Sequence, residues 1–306
     1  MGTYPCSKLP LSVGLSCSAH RTAALDSDSP ASISYNSASY RFVPTDFMLT
    51  RRAILAVIAT AAYAKPHNYP IRKRKKVERL FKSPDGNPNG LEATAAGLWC
   101  GEQVTDRAHL LDWETGQPLA SYETQSSNTS GIAAGGGFVW MAANGPAGVR
   151  PARPHDVKKG GRIVKLEIET GRHVKNYRTP NGGGVHGVLW AQDSLWITQF
   201  GPNKNVTQTD ADLRVQHSFP VPLGRAHGLG WDGAHIWCMF SNDFRILKFD
   251  IESGQVLEAI QLNRDDPDPH GMTWWHGSLY YCDAGIAPGH RQNTSPYAGY
   301  ICKIHA

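Results

Sequence analysis

Several signatures that mark common enzyme classes are missing from this chain. It has no Gly-rich phosphate loop, no Gly-x-Ser-x-Gly elbow, no Cys-His dyad and no Cys-x-x-Cys or zinc-finger spacing. Apolar residues at helical spacing are scarce as well. These absences exclude P-loop nucleotide-binding proteins, α/β-hydrolases and zinc fingers, and they leave a chain that must fold mainly as β-structure.

Charge is also low. Only 19% of the residues are charged, and the formal net charge of +5 owes much to one run, Arg72-Lys73-Arg74-Lys75-Lys76. Nucleic-acid binding needs a basic face with interleaved aromatic residues, which the rest of the chain does not show. We therefore expect no nucleic-acid partner, and we interpret residues 65–76 as a solvated basic linker.

A short apolar stretch near the N-terminus follows paired arginines. Arg51-Arg52 precede it, and it ends in Ala62-Tyr63-Ala64. This pattern is typical of a cleaved twin-arginine export signal, here residues 48–64, and the stretch is too short to span a bilayer comfortably. Residues 1–47 are then a disordered leader or a mis-assigned start. We predict a periplasmic or secreted bacterial protein whose mature chain begins near Lys65 and has no stable membrane span.

What the chain does contain is a repeat. A His-Gly pair occurs at the same phase three times, at His186, His227 and His270, and weaker copies begin at Asn89 and Ser130. A strand with an aromatic residue follows each pair, as in Leu195-Trp196-Ile197 and Ile236-Trp237-Cys238. The steps between copies are 41, 56, 41 and 43 residues. Periods of this length with Gly and aromatic markers indicate four-stranded propeller blades.

The fourth copy shows the whole unit, with four expected strands separated by turns. They are residues 227–231 (A), 234–240 (B), 244–250 (C) and 255–262 (D). The final copy ends at residues 299–305 and lacks strand D, which Val77–Lys82 can supply. We predict a monomer whose residues 77–306 form a single all-β domain. This domain is a β-propeller of five blades, closed where the N-terminal strand pairs with the C-terminal blade.

Alternation of strand direction places the D–A and B–C connections on one face, called here the D–A face. The residue before each repeat Gly opens the innermost strand, so these five residues should ring the channel mouth; we call them the axial ring. They are Asn89, Ser130, His186, His227 and His270. Glu102, Gln199 and Asp283 should lie one step further out, and two insertions bring Arg150, Arg153 and Arg291 to the same face.

Two interpretations of the ring histidines are open. In the functional one, His186, His227 and His270 act in catalysis or bind a divalent metal, Mg or Zn, with Glu102. The substrate, a small molecule or peptide at the channel mouth, would be bound by the remaining polar candidates. They are Asn89, Ser130, Gln199, Asp283, Arg150, Arg153 and Arg291. In the structural interpretation, each histidine bonds backbone groups of the adjacent blade, and the Gly beside it permits close approach.

The remaining aromatic and sulfur residues are expected to pack. The strand-B tryptophans should fill the space between blades, and those late on strand A, such as Trp190 and Trp231, should mostly pack, although one could line the channel. Cys100 and Cys238 occupy a core position of the repeat. Cys282 and Cys302 fall on neighbouring strands, and an oxidising compartment would permit a bridge between them.

The repeat resembles a known group of exported propellers. The motif Leu98-Trp99-Cys100-Gly101-Glu102-Gln103 and the segment Arg245–Gly254 are similar to the repeats of streptogramin B lyase-like, YVTN and SMP-30-type propellers. This resemblance covers roughly residues 77–305. It implies a carbon–oxygen lyase that opens a cyclic peptide or lactone by elimination, with bound magnesium, the ring histidines and Glu102 as its acidic partner.

The lyases differ in one respect, since they have seven blades. A five-bladed chain with repeats that end in Asp/Glu-Thr-Gly instead resembles the glutaminyl cyclases, in which Gln or Glu typically opens the repeat where this chain has His. A propeller that binds a ligand or protein without turnover is the third expectation.

Overall fold

The structure, a computed structural model, describes residues 69–145, 150–201, 204–285 and 295–305. The predicted leader, the export signal and Arg291 lie outside these ranges. Within them, no helix is both long and apolar enough to cross a membrane.

The described residues form five four-stranded antiparallel blades and one additional strand. Two strands precede the first blade: β1 (Ile71–Lys73) and β2 (Lys76–Lys82). Blade 1 contains β3 (Pro88–Thr94), β4 (Gly97–Glu102), β5 (Ala108–Leu111) and β6 (Pro118–Tyr122). Blade 2 contains β7 (Thr129–Gly135), β8 (Phe138–Ala143), β9 (Arg162–Glu167) and β10 (His173–Arg178).

Blade 3 contains β11 (Gly184–Ala191), β12 (Ser194–Phe200), β13 (Asn205–Thr209) and β14 (Val215–Pro220). Blade 4 contains β15 (Ala226–Trp231), β16 (Ile236–Phe240), β17 (Arg245–Phe249) and β18 (Val256–Gln261), with a short 3-10 helix at Ser241–Asp243. Blade 5 contains β19 (Met272–Trp275), β20 (Ser278–Cys282) and β21 (Tyr300–His305). The predicted five-bladed propeller is confirmed.

The ring closes as the sequence predicts. Strand β2 pairs antiparallel with β21, with Val77 opposite Ile304 and Phe81 opposite Ile301, so an N-terminal strand completes the last blade. Within the segment interpreted as a linker, β1 pairs in parallel with β18 at the outer edge of blade 4. The sequence gives no sign of this extra strand, since its three residues are exposed and carry no apolar alternation.

The innermost strands pack against one another around the axis with little room between their backbones. Each of the five repeat glycines, at positions 90, 131, 187, 228 and 271, lies against the adjoining innermost strand. A Cβ on Gly228 would overlap the backbone of Gly271 and Met272 in blade 5. The glycines are therefore required by close backbone approach.

Apolar side chains fill the spaces between blades. The described residues form five hydrophobic clusters, one at each junction of neighbouring blades. The strand-B tryptophans, which are Trp99, Trp140, Trp196 and Trp237, are almost completely buried there. Cys100 and Cys238 are buried in the same way, as expected from the repeat.

Cys282 and Cys302 do not form the bridge that the sequence leaves open. Both are free thiols. The pairing of β20 with β21 sets Cys302 opposite Tyr281, while Cys282 lies opposite Ile301. Because adjacent residues of a strand point to opposite faces, Cys302 packs between blades 4 and 5 and Cys282 between blades 5 and 1.

The Asp/Glu-Thr/Ser-Gly motifs form the turns between strands C and D. In blade 1, Asp112 Oδ1 accepts hydrogen bonds from the backbone N–H and the hydroxyl of Thr115. Gly116 follows with φ of 71° and packs against Phe81 of the preceding blade. This part of the repeat has a structural role, because an Asx-type turn and a left-handed Gly suffice to explain it.

Gly228→Ala should destabilise the protein by about 3 kcal/mol, because the added methyl group overpacks the axis. Gly224→Ala is the matched control, since no atom lies within 4 Å of a Cβ at that position. The control should change stability by less than about 1 kcal/mol. Urea unfolding of both variants tests this, and equal stabilities would show that the axis is not crowded.

Candidate functional site

The structure gathers the axial ring at the D–A mouth of the channel. His186 and His227 stack with ring centroids 4.5 Å apart and planes 8° apart. His270 meets His227 edge-on, with a centroid distance of 5.0 Å. Asn89 and Ser130 complete the circle, and all five side chains are buried. Repeat phase therefore locates these positions well.

Most of the ring is engaged in bonds that run from blade to blade. Three ring side chains donate to the carbonyl of the residue just before the ring residue of the next blade. These bonds are Asn89 Nδ2 to Thr129 O (3.0 Å), Ser130 Oγ to Val185 O (2.7 Å) and His186 Nδ1 to Ala226 O (3.0 Å). His270 closes the circle, because its Nδ1 donates to Oδ1 of Asn89 (3.0 Å). These bonds match the structural interpretation of the repeat.

His227 differs from the other members. Its ring is fully buried, and neither nitrogen has a hydrogen-bond partner within the described part of the chain. Burial, reinforced by the neighbouring His186, His270 and Arg225, holds the pKa of His227 well below its usual range. Burial likewise lowers the pKa of His186 to about 3. Both imidazoles are thus neutral at ordinary pH.

The ring histidines do not fit a shared metal ion in this arrangement. Imidazole lone pairs lie in the ring plane, so the parallel rings of His186 and His227 direct them side by side rather than toward one point. His186 Nδ1 and both nitrogens of His270 face hydrogen-bond partners. Among the described residues, no three His, Cys, Asp or Glu side chains are grouped to hold a metal.

Glu102 and Asp283 hold loops on the D–A face. Glu102 Oε2 accepts the backbone N–H of Asn87 at 2.8 Å, and Asp283 Oδ2 accepts that of Asp268 at 2.9 Å. Both acceptors bind the residue two positions before an axial ring residue. Burial raises the pKa of Glu102 to about 7 and also raises that of Asp283. Their positions are explained by loop structure.

Gln199 occupies the corresponding position in blade 3. Its Oε1 accepts the hydroxyl of Thr207 at 3.1 Å. Its Nε2 is buried and has no partner in the described residues. Of the three outer candidates, Gln199 is therefore the one with an unused donor.

The predicted arginines are mostly occupied. The guanidinium of Arg150 bonds to both Asp106 and Asp156. Arg153 donates to the carbonyl of Thr105 at 3.1 Å and is partly exposed. Arg150 thus braces the insertion in blade 2, and its charge is neutralised there.

A different arginine stands at the mouth. Arg225 precedes the ring segment of blade 4, and its partly buried guanidinium makes no hydrogen bond to the residues that the structure describes. Burial lowers the pKa of Arg225, and the negative charge of Asp268 opposes this effect. The positive charge of Arg225 also contributes to the lowered pKa of His186, a member of the axial ring.

Asp268, whose negative charge favours the protonated form of Arg225, also bonds to His270. Asp268 Oδ2 is 3.1 Å from His270 Nε2, and the Asp268 side chain is 28% exposed while that of His270 is buried. Asp268, His270 and Asn89 thus form a hydrogen-bonded chain that begins at the solvent side of the mouth. Phe200 borders the same region and stacks on His186 at 4.2 Å.

Neither Arg225 nor Asp268 is among the site residues expected from the sequence. Both stand two positions before an axial ring residue, where the other blades have Asn87, Asn128 and Gly184. Their position in the repeat could have identified them, because residues two positions before the ring residues of different blades should all lie near the D–A mouth.

Comparisons with known proteins support the architecture. No protein-family model and no curated protein matches the sequence. Among solved structures, the glutaminyl cyclase of Myxococcus xanthus is similar with a TM-score of 0.55 and 12% identity, over 78% of this chain and 99% of that chain. The resemblance to streptogramin B lyases therefore stays at the level of the repeat.

Two further propellers are similar at lower scores. The PQQ-bound aldose sugar dehydrogenase of Streptomyces coelicolor has a TM-score of 0.46 and 10% identity, over 75% of this chain and 98% of that one. The WD40 β-propeller domain of Doa1 has a TM-score of 0.43 and 14% identity, over 71% and 77%. At such identities a likeness shows the fold alone, and scores below 0.5 carry no argument about function.

Glu102→Gln should remove the part of the pH dependence of stability that Glu102 causes. The pKa of Glu102 is about 7 in the folded protein against an ordinary value of 4.5, so the folded state holds the proton more tightly than the unfolded state. The wild type should therefore lose stability relative to the variant as the pH rises through this range, by at most about 3 kcal/mol.

Urea unfolding at about pH 5 and about pH 8 measures this change. Glu114→Gln, at an exposed position, is the control and should show the same difference from wild type at both values. A constant difference between wild type and Glu102→Gln would contradict the account.

Proposed function

We propose that the D–A mouth binds a small peptide-like or lactone-like molecule and acts on it by acid–base catalysis without a metal. The observation that carries this proposal is the partly exposed Asp268, backed by His270 and placed near the unpaired Arg225. A cation and a carboxylate at the same mouth suit a substrate that has an anionic group near a transferable proton.

Each residue then has a distinct role. Arg225 binds the anionic or carbonyl oxygen of the substrate and stabilises charge that develops there. Asp268 touches the substrate and takes up its proton. His270 is a positioning residue, because it is buried behind Asp268 and held in orientation by Asn89. Phe200 supplies an apolar wall beside His186.

Two reactions fit these roles. In a lyase, Asp268 removes a proton from carbon, the electron pair forms a double bond, the carbon–oxygen bond breaks, and the ring opens to a carboxylate. In a cyclase, as the similarity to a glutaminyl cyclase suggests, the N-terminal amine of a glutamine attacks the side-chain amide carbon and forms a carbon–nitrogen bond. Asp268 takes the proton of the amine and passes it to the amide nitrogen, which leaves as ammonia when its bond to carbon breaks. The exposed carboxylate serves either reaction.

Binding without turnover is the second candidate function. It is favoured by the bonds of the axial ring, since three of the five ring side chains bond to backbone carbonyls and leave few groups free for chemistry. In this case Arg225 and Asp268 would recognise complementary charges on a small ligand or peptide. We propose a monomer for both functions.

We also propose that the protein is exported through the twin-arginine signal at residues 48–64. N-terminal sequencing of the protein recovered from the bacterial periplasm or medium should begin near Lys65, and replacement of Arg51-Arg52 by Lys-Lys should retain the protein inside the cell. Recovery of an uncleaved cytoplasmic protein from the unchanged sequence would contradict export.

The catalytic proposal is tested with cyclic peptides, lactones and peptides with an N-terminal glutamine, followed by chromatography and mass spectrometry. Asp268→Asn should lower kcat by at least about a hundredfold with a smaller change in KM, because proton transfer is lost. Arg225→Gln should raise KM or abolish activity. Arg214→Gln is the control, because Arg214 is exposed and belongs neither to the axial ring nor to the residues proposed to bind the substrate.

The outcomes separate the candidates. Turnover that is unaffected in Asp268→Asn would contradict acid–base catalysis at this mouth. Binding without turnover, weakened only in Arg225→Gln and Asp268→Asn, would identify a binding protein. A His270→Asn variant that retains the pH profile of the wild type would exclude the positioning role of His270.

A further inference from the structure

A cavity lies at the A–B end of the innermost strands, opposite the D–A mouth. Its volume is about 340 Å³, and it is formed late on strand A and in the A–B turns of blades 1, 3, 4 and 5. The residues that matter for its chemistry are Glu92, Trp190, Trp231, Trp274 and Trp275. Neither the proposed function nor the resemblance to other propellers involves this cavity.

Two of the tryptophans, Trp190 and Trp274, are held in place by stacking on a tryptophan of the preceding blade. Trp190 stacks on Trp140 with centroids 5.8 Å apart and planes 10° apart. Trp274 stacks on Trp237 in the same way, at 5.6 Å and 11°. Each pair joins a strand-A ring to a strand-B ring of the preceding blade. The strand-A rings are nevertheless only partly buried, so aromatic surface remains available at the cavity.

Trp275 is held by different partners. It stacks on Trp113 at 5.6 Å, with planes 7° apart, and on His276 at 4.3 Å. Trp231 packs against the cluster between blades 3 and 4. The cavity is therefore bordered by four indoles whose orientations are set by packing, which makes it a preorganised aromatic surface.

Glu92 brings a carboxylate to this aromatic surface. Its side chain is more than nine-tenths buried, and Oε2 has no hydrogen-bond partner within the described residues. The backbone of Trp190 is close enough to favour the ionised form of Glu92. Burial raises the pKa of Glu92 well above its usual range. A buried carboxyl with an unused oxygen is costly unless a ligand completes its bonding.

Asp232, the other carboxylate that borders this cavity, already has partners. Lys248 Nζ lies 3.1 Å from Asp232 Oδ2, and the same carboxylate oxygen accepts the indole N–H of Trp237 at 2.9 Å. Asp232 is therefore neutralised within blade 4. In the described part of the chain, no arginine or lysine forms an ion pair with Glu92.

From these contacts we infer that the A–B cavity binds an organic cation, an alkylammonium or guanidinium group, between the indole faces and Glu92. Indole faces attract such cations. Burial favours the protonated form of Glu92 while the cavity is empty, so a bound cation would stabilise the ionised carboxylate and release its proton. Two carboxylates border the cavity, but Asp232 is already paired with Lys248, so a bare metal ion would find too few free oxygen ligands. The inference does not depend on the proposed function, because the two mouths use different residues.

Calorimetric titration with tetramethylammonium and with methylguanidinium tests the inference, with sodium chloride at equal ionic strength as the salt control. Both cations should bind saturably. Glu92→Gln should weaken binding at least about tenfold, because it removes the charge but keeps the shape. Trp231→Leu should weaken it several-fold through loss of one aromatic face.

A matched control is available at the other mouth. Glu102→Gln also neutralises a buried carboxyl, and it should leave the affinity for both cations unchanged. Absence of saturable binding, or equal affinity in wild type and Glu92→Gln, would overturn the inference. Binding of cellobiose in place of the cations would also overturn it, because it would identify the indoles as a sugar-stacking surface.

If Glu92→Gln failed to fold, as judged by circular dichroism, Trp231→Leu would remain as the deciding variant. Unchanged cation affinity in a folded Trp231→Leu protein would exclude the aromatic surface as the binding element.

Discussion

The close approach of five backbones at the axis is the constraint on which the rest of this structure depends. A Cβ on Gly131 or Gly228 would overlap the neighbouring innermost strand, so glycine is required at this step of the repeat. The preceding residue is then held where its side chain can reach the next blade. Asn89, Ser130 and His186 all use this position to bond a carbonyl of the next blade. Crowding at the axis thus determines how the innermost strands pack and where the side chains of the axial ring point.

The same innermost strands also separate two chemically different mouths. At the D–A end, the ring is followed outward by Arg225 and Asp268, a polar pair beside histidines that burial keeps neutral. At the A–B end, the strands carry tryptophans and one buried carboxyl, Glu92. Stacking between blades orients the indoles, and hydrogen bonding between blades orients the ring. Both candidate sites are therefore consequences of how neighbouring blades meet.

Repeat phase was sufficient to predict the blade number, the closing strand and the members of the axial ring. It could not show which atoms each member uses. His186, His227 and His270 are equivalent in phase, yet one bonds a carbonyl, one has no partner and one joins Asp268 to Asn89. Those differences arise from Phe200, Arg225 and the side chain of Asn89, which come from other strands. Glu92 was missed for a similar reason, because only blade 1 carries a carboxylate at that position.

The central claim is that the histidines of the ring are first of all parts of the fold. Two-dimensional NMR of ring-labelled histidine, followed from about pH 8 to about pH 5, tests it most directly. The account predicts that the resonances of His186 and His227 stay those of neutral imidazole throughout, because burial lowers the pKa of both. Titration of either ring in the usual range of a free histidine would contradict the account, since it would show an open, solvated ring.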